Sequence, residues 1–111
     1  MPITKSELFK KRDIRTAEFA KVLGHPARVS ILRELASRKE CVCGEIVDVV
    51  PLAQATVSQH LKELKTVGLI KGEVEGVKSC YCIDPEGIRK LEKELMDLLA
   101  DLKCGCEPGS C

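Results

Sequence analysis

No apolar run in this sequence approaches the roughly 18–20 residues that a membrane-spanning helix needs, so a membrane protein is not expected. The opening stretch MPITKSELFKKRD has no apolar segment of the kind that marks a secretory signal, and a cytoplasmic location is the expectation. The pattern holds no Gly-rich phosphate loop, no Ser-His-Asp set and no paired carboxylates of a catalytic pocket, so neither an enzyme nor an organic cofactor is expected. An excess of one charge is missing too. Lys and Arg number 18 against 17 Asp and Glu, so the overall balance announces no polyanionic partner. A chain of 111 residues makes one domain with a modest core, for which dimerisation is a natural supplement.

The distribution of charge says more than its sum. Residues 1–40 carry ten basic side chains against five acidic ones, and residues 80–111 carry four against seven. A positive amino-terminal part suits contact with a phosphate backbone, and an acidic carboxyl-terminal part faces elsewhere. Cysteine is abundant: there are seven, none before position 41. An odd number in a chain read as cytoplasmic disfavours a disulfide framework and points to metal or redox chemistry.

The organising stretch runs from Cys41 to Gly68. Cys41 and Cys43 open a short helix expected over about 43–50, which Pro51 forbids from continuing. After that break comes a second helix within PLAQATVSQHLKELKTVG, where Val57, Leu61 and Leu64 form one apolar stripe at i, i+4 and i+7. Its other faces carry Gln54, Thr56, Ser58, Gln59, His60, Lys62 and Lys65, side chains suited to base edges and phosphates. Gly68 is the expected stop. Helix, four-residue break and polar-faced helix make a helix-turn-helix.

Before this unit, one helix is expected over residues 5–23, with Ser6 as a possible cap. A second begins at Pro26 and buries Val29, Leu32 and Leu35 or Ala36, with Ile31 beside them. His25, just before Pro26, reads as a cap. After it the period changes. LIKGEVEGVKSCYCI reads as a hairpin of strands 69–74 and 78–83 turning at Gly76, from which Lys71 and Lys78 can reach phosphates. Cys80 and Cys82 share one face of the second strand and are expected to pack as small apolar side chains. Asp84-Pro85 ends the hairpin. A last helix over 85–103 carries Ile88, Leu91, Leu95, Leu98 and Leu102 at heptad spacing, a seam for a second copy or for the first helix. The expected fold is therefore mainly α with a β-hairpin wing, a winged helix-turn-helix homodimer. Residues 1–103 form the DNA-binding and dimerisation domain, and residues 104–111 a Cys-rich flexible tail.

The segments LGHPARVSILREL (23–35), ECVCGEIV (40–47), LAQATVSQHLKELKTVGLIKG (52–72) and EGVKSCYCID (75–84) together resemble the ArsR/SmtB family of metal-responsive bacterial repressors, over about residues 14–100. The resemblance implies a dimer that holds an operator until a thiophilic ion releases it. It also implies that Cys41-Val42-Cys43 is the arsenic/antimony or cadmium/lead sensing site. Three departures narrow this. The third cysteine of well-known arsenite sensors is replaced here by Ile46, no amino-terminal cysteine is available, and the last helix has no His for a zinc, cobalt or nickel site.

Trivalent arsenic or antimony takes three sulfurs, so Cys41 and Cys43 leave one ligand to find. Cys104, Cys106 and Cys111 are the candidates. In a regular helix residues two apart stand about 200° apart, so both thiols can hold one ion only where the chain is not helical. The expected partners are double-stranded operator DNA with an inverted repeat and a second copy of the chain. Cd or Pb, a methylated arsenical, and a thiol-redox switch are the alternative triggers. The recognition helix has no Arg, which removes guanidinium readout of guanine from it and leans recognition towards A·T pairs.

Overall fold

The computed structural model describes residues 8–38, 41–43, 53–73 and 80–106. Helix α1 spans Lys11–Leu23 and buries Phe19 and Val22. The expected helix over 5–23 is interrupted, because Lys10 is extended at φ −66° and ψ 145°. Leu8 and Phe9, at 60% and 57% exposed, have no core to hold the helix through this point; residues 1–7 with Ser6 lie outside the described residues.

Helix α2 spans Pro26–Arg38. His25 caps it as expected: its Nδ1 accepts the Ala27 N–H at 3.1 Å, satisfying one of the donors a helix start leaves open. Ala27, Ile31 and Leu35 are buried at i, i+4 and i+8, one stripe against the core. Val29 and Leu32 are half-buried and Ala36 exposed.

The Cys41-Val42-Cys43 segment corrects the sequence reading. Val42–Cys43 is a strand, β1, rather than the opening of a helix. It pairs antiparallel with a wing strand, with Val42 opposite Tyr81 and Cys43 opposite Cys80. The physical reason is a free edge: a two-stranded hairpin leaves one row of backbone donors and acceptors open, and a β-branched residue between two cysteines is well suited to fill it. The expected front helix over 44–50 lies outside the described residues.

Helix α3, Gln54–Thr66, is the second helix of the helix-turn-helix. Val57, Leu61 and Leu64 are all buried, as their spacing requires. It ends in a Schellman motif: the Gly68 N–H donates to the Lys65 carbonyl at 2.9 Å and the Leu69 N–H to the Leu64 carbonyl at 3.1 Å. Gly68 supplies the left-handed turn at φ 85°, and Leu64 and Leu69, both fully buried, make the apolar contact that accompanies it.

Strands β2 (Ile70–Glu73) and β3 (Cys80–Ile83) form the wing, with Ile70 opposite Ile83 and Lys71 opposite Cys82. The turn, including Gly76 and Lys78, lies outside the described residues. With β1 the sheet has three antiparallel strands in the order β1-β3-β2. Asp84 then caps helix α4, Pro85–Cys106, by accepting the Glu86 N–H on its carboxylate at 3.1 Å.

Helix α4 packs along α1. The Arg15 guanidinium donates to Glu94 at 3.1 Å and the Thr16 hydroxyl donates to the same carboxylate at 3.3 Å. Ile88 and Leu91 reach the central core of Ile31, Leu35, Val57, Leu61, Leu64, Leu69, Ile70 and Tyr81. The rest of the expected seam is different. Leu98 and Leu102 are 41% and 55% exposed, as are Met96 and Leu99 at 61% and 52%. The helix also continues past the expected end at 103, so that Cys104 and Cys106 belong to it.

Candidate nucleic-acid interface and thiol site

Burying the Val57, Leu61 and Leu64 stripe turns the remaining faces of α3 outward. Thr56, Gln59, Lys62 and Lys65 are exposed and Ser58 is half-exposed; Gln54 is the first residue of the helix. The Gln59 amide donates to Glu63 at 3.2 Å, an exposed bond that a better partner can displace. Lys71 is exposed on β2, a strand that packs beside α3. Small polar and amide groups in the middle with ammonium groups around them suit a helix that enters a groove and rests on the backbone.

His60 departs from the expected polar face. It is only 7% exposed, and its ring lies 4.4 Å from that of His25, tilted by 54°. Its Nδ1 accepts from the Arg28 guanidinium at 3.0 Å, while its Nε2 is buried with no hydrogen-bond partner among the described residues. Burial lowers its pKa below the ordinary imidazole value, helped by the charges of His25 and Arg28 and opposed by Glu63. A neutral ring held by Arg28 is a connection between α2 and α3, not a reader of bases. The signal was present in the spacing. Position 60 is three after Val57 and four before Leu64, so it falls on the apolar stripe itself.

The cysteines converge where the sequence reading separated them. Cys41, expected to share a helix with Cys43, is bonded through its sulfur to Cys82 of β3, with the Cα atoms 4.3 Å apart. Cys80 is also a half-cystine. The expectation that Cys80 and Cys82 merely pack is therefore corrected: both take part in sulfur chemistry. Their C-x-C spacing matches that of Cys41 and Cys43, and two strands with the same spacing come together row against row in an antiparallel pair. In this oxidised state no group of three or more His, Cys, Asp or Glu among the described residues is arranged to hold a metal ion. The donor set nevertheless suits a thiophilic ion, because Cys43 lies in a strand and Cys41 just before it, and neither is in a helix. The geometric objection that a helix raised is removed. Cys104, in the last turn of α4, is a half-cystine as well, and Cys111 lies outside the described residues.

Among the described residues no helix is long and apolar enough to cross a membrane. Residues 23–73 match the family model of a helix-turn-helix domain. The chain is similar to the arsenical resistance operon repressor of Bacillus subtilis, at 35% identity over 85% of this chain and 86% of the relative. It is also similar to a cadmium resistance transcriptional regulatory protein CadC homolog of Staphylococcus aureus, at 33% identity over 78% and 72%. Among solved structures, a homodimeric winged helix-turn-helix DNA-binding domain from Mycobacterium bovis, a possible ArsR-family regulator, superposes with a TM-score of 0.61. That match has 24% identity and covers 91% of this chain and 90% of that one; at this identity it speaks for the fold.

Proposed function

The chain belongs to the ArsR/SmtB family of helix-turn-helix transcriptional repressors, DNA-binding regulators rather than enzymes, and on that premise we propose that trivalent arsenic or antimony, held by cysteine thiolates, releases it from its operator. One observation carries the reading: Cys43 lies in strand β1 and Cys41 just before it, so two soft ligands stand in non-helical chain ahead of α3. Thiolates select thiophilic centres such as arsenic. A relative whose name ties it to arsenical resistance supports arsenic, and one tied to cadmium resistance keeps Cd or Pb as the alternative. Cys41 and Cys43 supply two sulfurs, and Cys104, Cys106 and Cys111 are the source that the sequence offers for a third.

The repressor acts in the cytoplasm as a homodimer, placing two α3 helices in major grooves about 34 Å apart on an inverted repeat. Gln54, Thr56, Ser58 and Gln59 face the bases; Lys62, Lys65, Lys71 and Lys78 face phosphates. Binding an ion at β1 shifts the segment that leads into α3, and a small change there suffices to misalign two helices that must enter two grooves together.

Operator release followed by fluorescence anisotropy tests the proposal. Under reductant, arsenite is expected to release the native chain and to leave Cys41→Ser/Cys43→Ser bound; release of the double variant overturns it. The Cys41–Cys82 disulfide specifically favours a second reading, a repressor switched by thiol oxidation. Release by peroxide without metal, reversed by a thiol reductant, is its signature.

A further inference from the structure

β3 offers sulfurs at a place the sequence did not connect with the sensing segment. Its register sets Cys43 opposite Cys80, and the Cys41–Cys82 bond continues that row. Two C-x-C segments thus lie side by side on neighbouring strands. Tyr81 between the wing cysteines is 3% exposed and faces the core. Strand alternation therefore turns Cys80 and Cys82 to the other side, where both are half-exposed and Cys41 is exposed. A cleft of about 480 Å³, lined by Leu35, Ala36, Cys41, Lys71, Cys82 and Ile83 among others, opens at that place. Lys71 is the register partner of Cys82.

From this juxtaposition we infer that the wing strand, not the carboxyl-terminal cysteines, completes the thiophilic site: Cys82 is the third thiolate for trivalent arsenic, and Cys80 a fourth for a tetrahedral soft cation. The inference rests on the reading that Cys41 and Cys43 are ligands. The carboxyl-terminal source is remote within one protomer. Helix α4 starts at Pro85, just beyond β3, and carries Cys104 nineteen residues along its length, roughly 28 Å at 1.5 Å per residue. Cys82 is already at bonding distance from Cys41.

The chemistry balances. A dithiol reductant takes the Cys41–Cys82 bond, and a second equivalent the disulfide that holds Cys80, to free thiols, each equivalent leaving as its own disulfide. Arsenous acid then condenses with the thiols of Cys41, Cys43 and Cys82, forming three As–S bonds and releasing three waters, with no change in arsenic oxidation state. The product ties β1 to the wing, so one ion grips the segment before α3 and the strand after it. The disulfide occupies two of the same sulfurs, which makes oxidation and ion binding mutually exclusive.

The test titrates arsenite into the reduced full chain, measuring affinity by calorimetry and counting the thiols shielded from a chromogenic disulfide reagent. Cys82→Ser is expected to lower affinity at least about tenfold, since even the partners that merely orient metal ligands are worth about 10–100-fold, and to drop the shielded thiols from three to two. A chain ending at Lys103 should keep both within about twofold. Loss on truncation with Cys82→Ser unaffected overturns the inference. Cys82→Ala, with circular dichroism and thermal melts of every variant, separates ligand loss from unfolding. Should Cys41→Ser/Cys43→Ser bind as the native chain does, the earlier reading fails instead. Should the native chain bind no arsenite, the Cd(II)–thiolate ultraviolet band decides: weakened in Cys80→Ser/Cys82→Ser it upholds the wing assignment, unchanged it ends it.

Discussion

His60 shows how one side chain can sit on a recognition helix and serve the fold. Its Nδ1 accepts from Arg28, and burial, with His25 and Arg28 nearby, depresses its pKa. The unfolded chain, where the imidazole returns to about 6.5, therefore takes up the proton first. The stabilisation is fully present above that value and is lost as pH falls through the lower folded value. Urea denaturation at about pH 8 and about pH 5 should show the native chain losing more stability on acidification than His60→Gln does; equal losses would assign the acid sensitivity elsewhere. At about pH 8, His60→Leu should cost about 1–3 kcal/mol, because the buried side of the Arg28 guanidinium loses its acceptor. The outward side chains follow another logic. Gln59→Ala should cost about 1–3 kcal/mol at one operator position and relax the preference there. Lys65→Ala should weaken all sequences alike and reduce the salt slope by about one. Competition binding at two salt concentrations separates these outcomes.

Elements that announce themselves by period or by a stop were legible, and elements made by pairing were not. The Val57, Leu61 and Leu64 stripe, the Gly68 stop, the Asp84-Pro85 boundary and the hairpin all follow from local chemistry. Strand β1 has two residues, too few for any period to show, and exists because β3 has an edge to fill. For the same reason the meeting of Cys41 with Cys82, 41 positions apart, could not be read from spacing. His60 was misplaced because its type was weighed above its position on the stripe. Two glycines at one junction give a test of how tightly the elements are joined. Gly68 has φ 85° with open space where a Cβ would go, so Gly68→Ala should cost only the left-handed backbone term, about 1–2 kcal/mol. Gly87 in the first turn of α4 is different: a Cβ there would run into the Gly68 carbonyl. Gly87→Ala must push α4 off the end of α3, at about 1–3 kcal/mol or more. Because a Cβ at Gly68 touches nothing, the two costs should add in urea denaturation, and a Gly87→Ala cost no larger than that of an ordinary helix Gly→Ala change would show that α4 does not lean on the Gly68 carbonyl.

A single copy leaves apolar side chains of α4 bare. Its Cα radius of gyration is 16.5 Å, against about 13 Å for a compact chain of this length. The excess accompanies an α4 whose far half extends beyond the core. Met96, Leu98, Leu99 and Leu102 are each 41% or more exposed there, while Ile88 and Leu91, one and two turns in, are packed against the centre. Leu98 and Leu102 are four apart and so lie on one stripe. An amphipathic helix that buries its first half and bares its second is built to meet an equivalent surface, and two-fold pairing lets one patch serve both partners. The acidic side chains of this region, Asp97 and Asp101 among them, sharpen the test. In Leu98→Glu/Leu102→Glu each protomer would add two carboxylates to a surface that already holds two, opposite the same set on its mate, so repulsion joins the loss of apolar burial. Sedimentation should show the native chain as a dimer and the variant as a monomer with an unchanged helical content. Operator affinity should fall towards that of a single half-site, because the loss of a tethered second recognition helix removes an effective-concentration gain of about 10²–10⁴. A variant that stays dimeric with full operator affinity would place the two-fold contact elsewhere and leave this stripe without a partner.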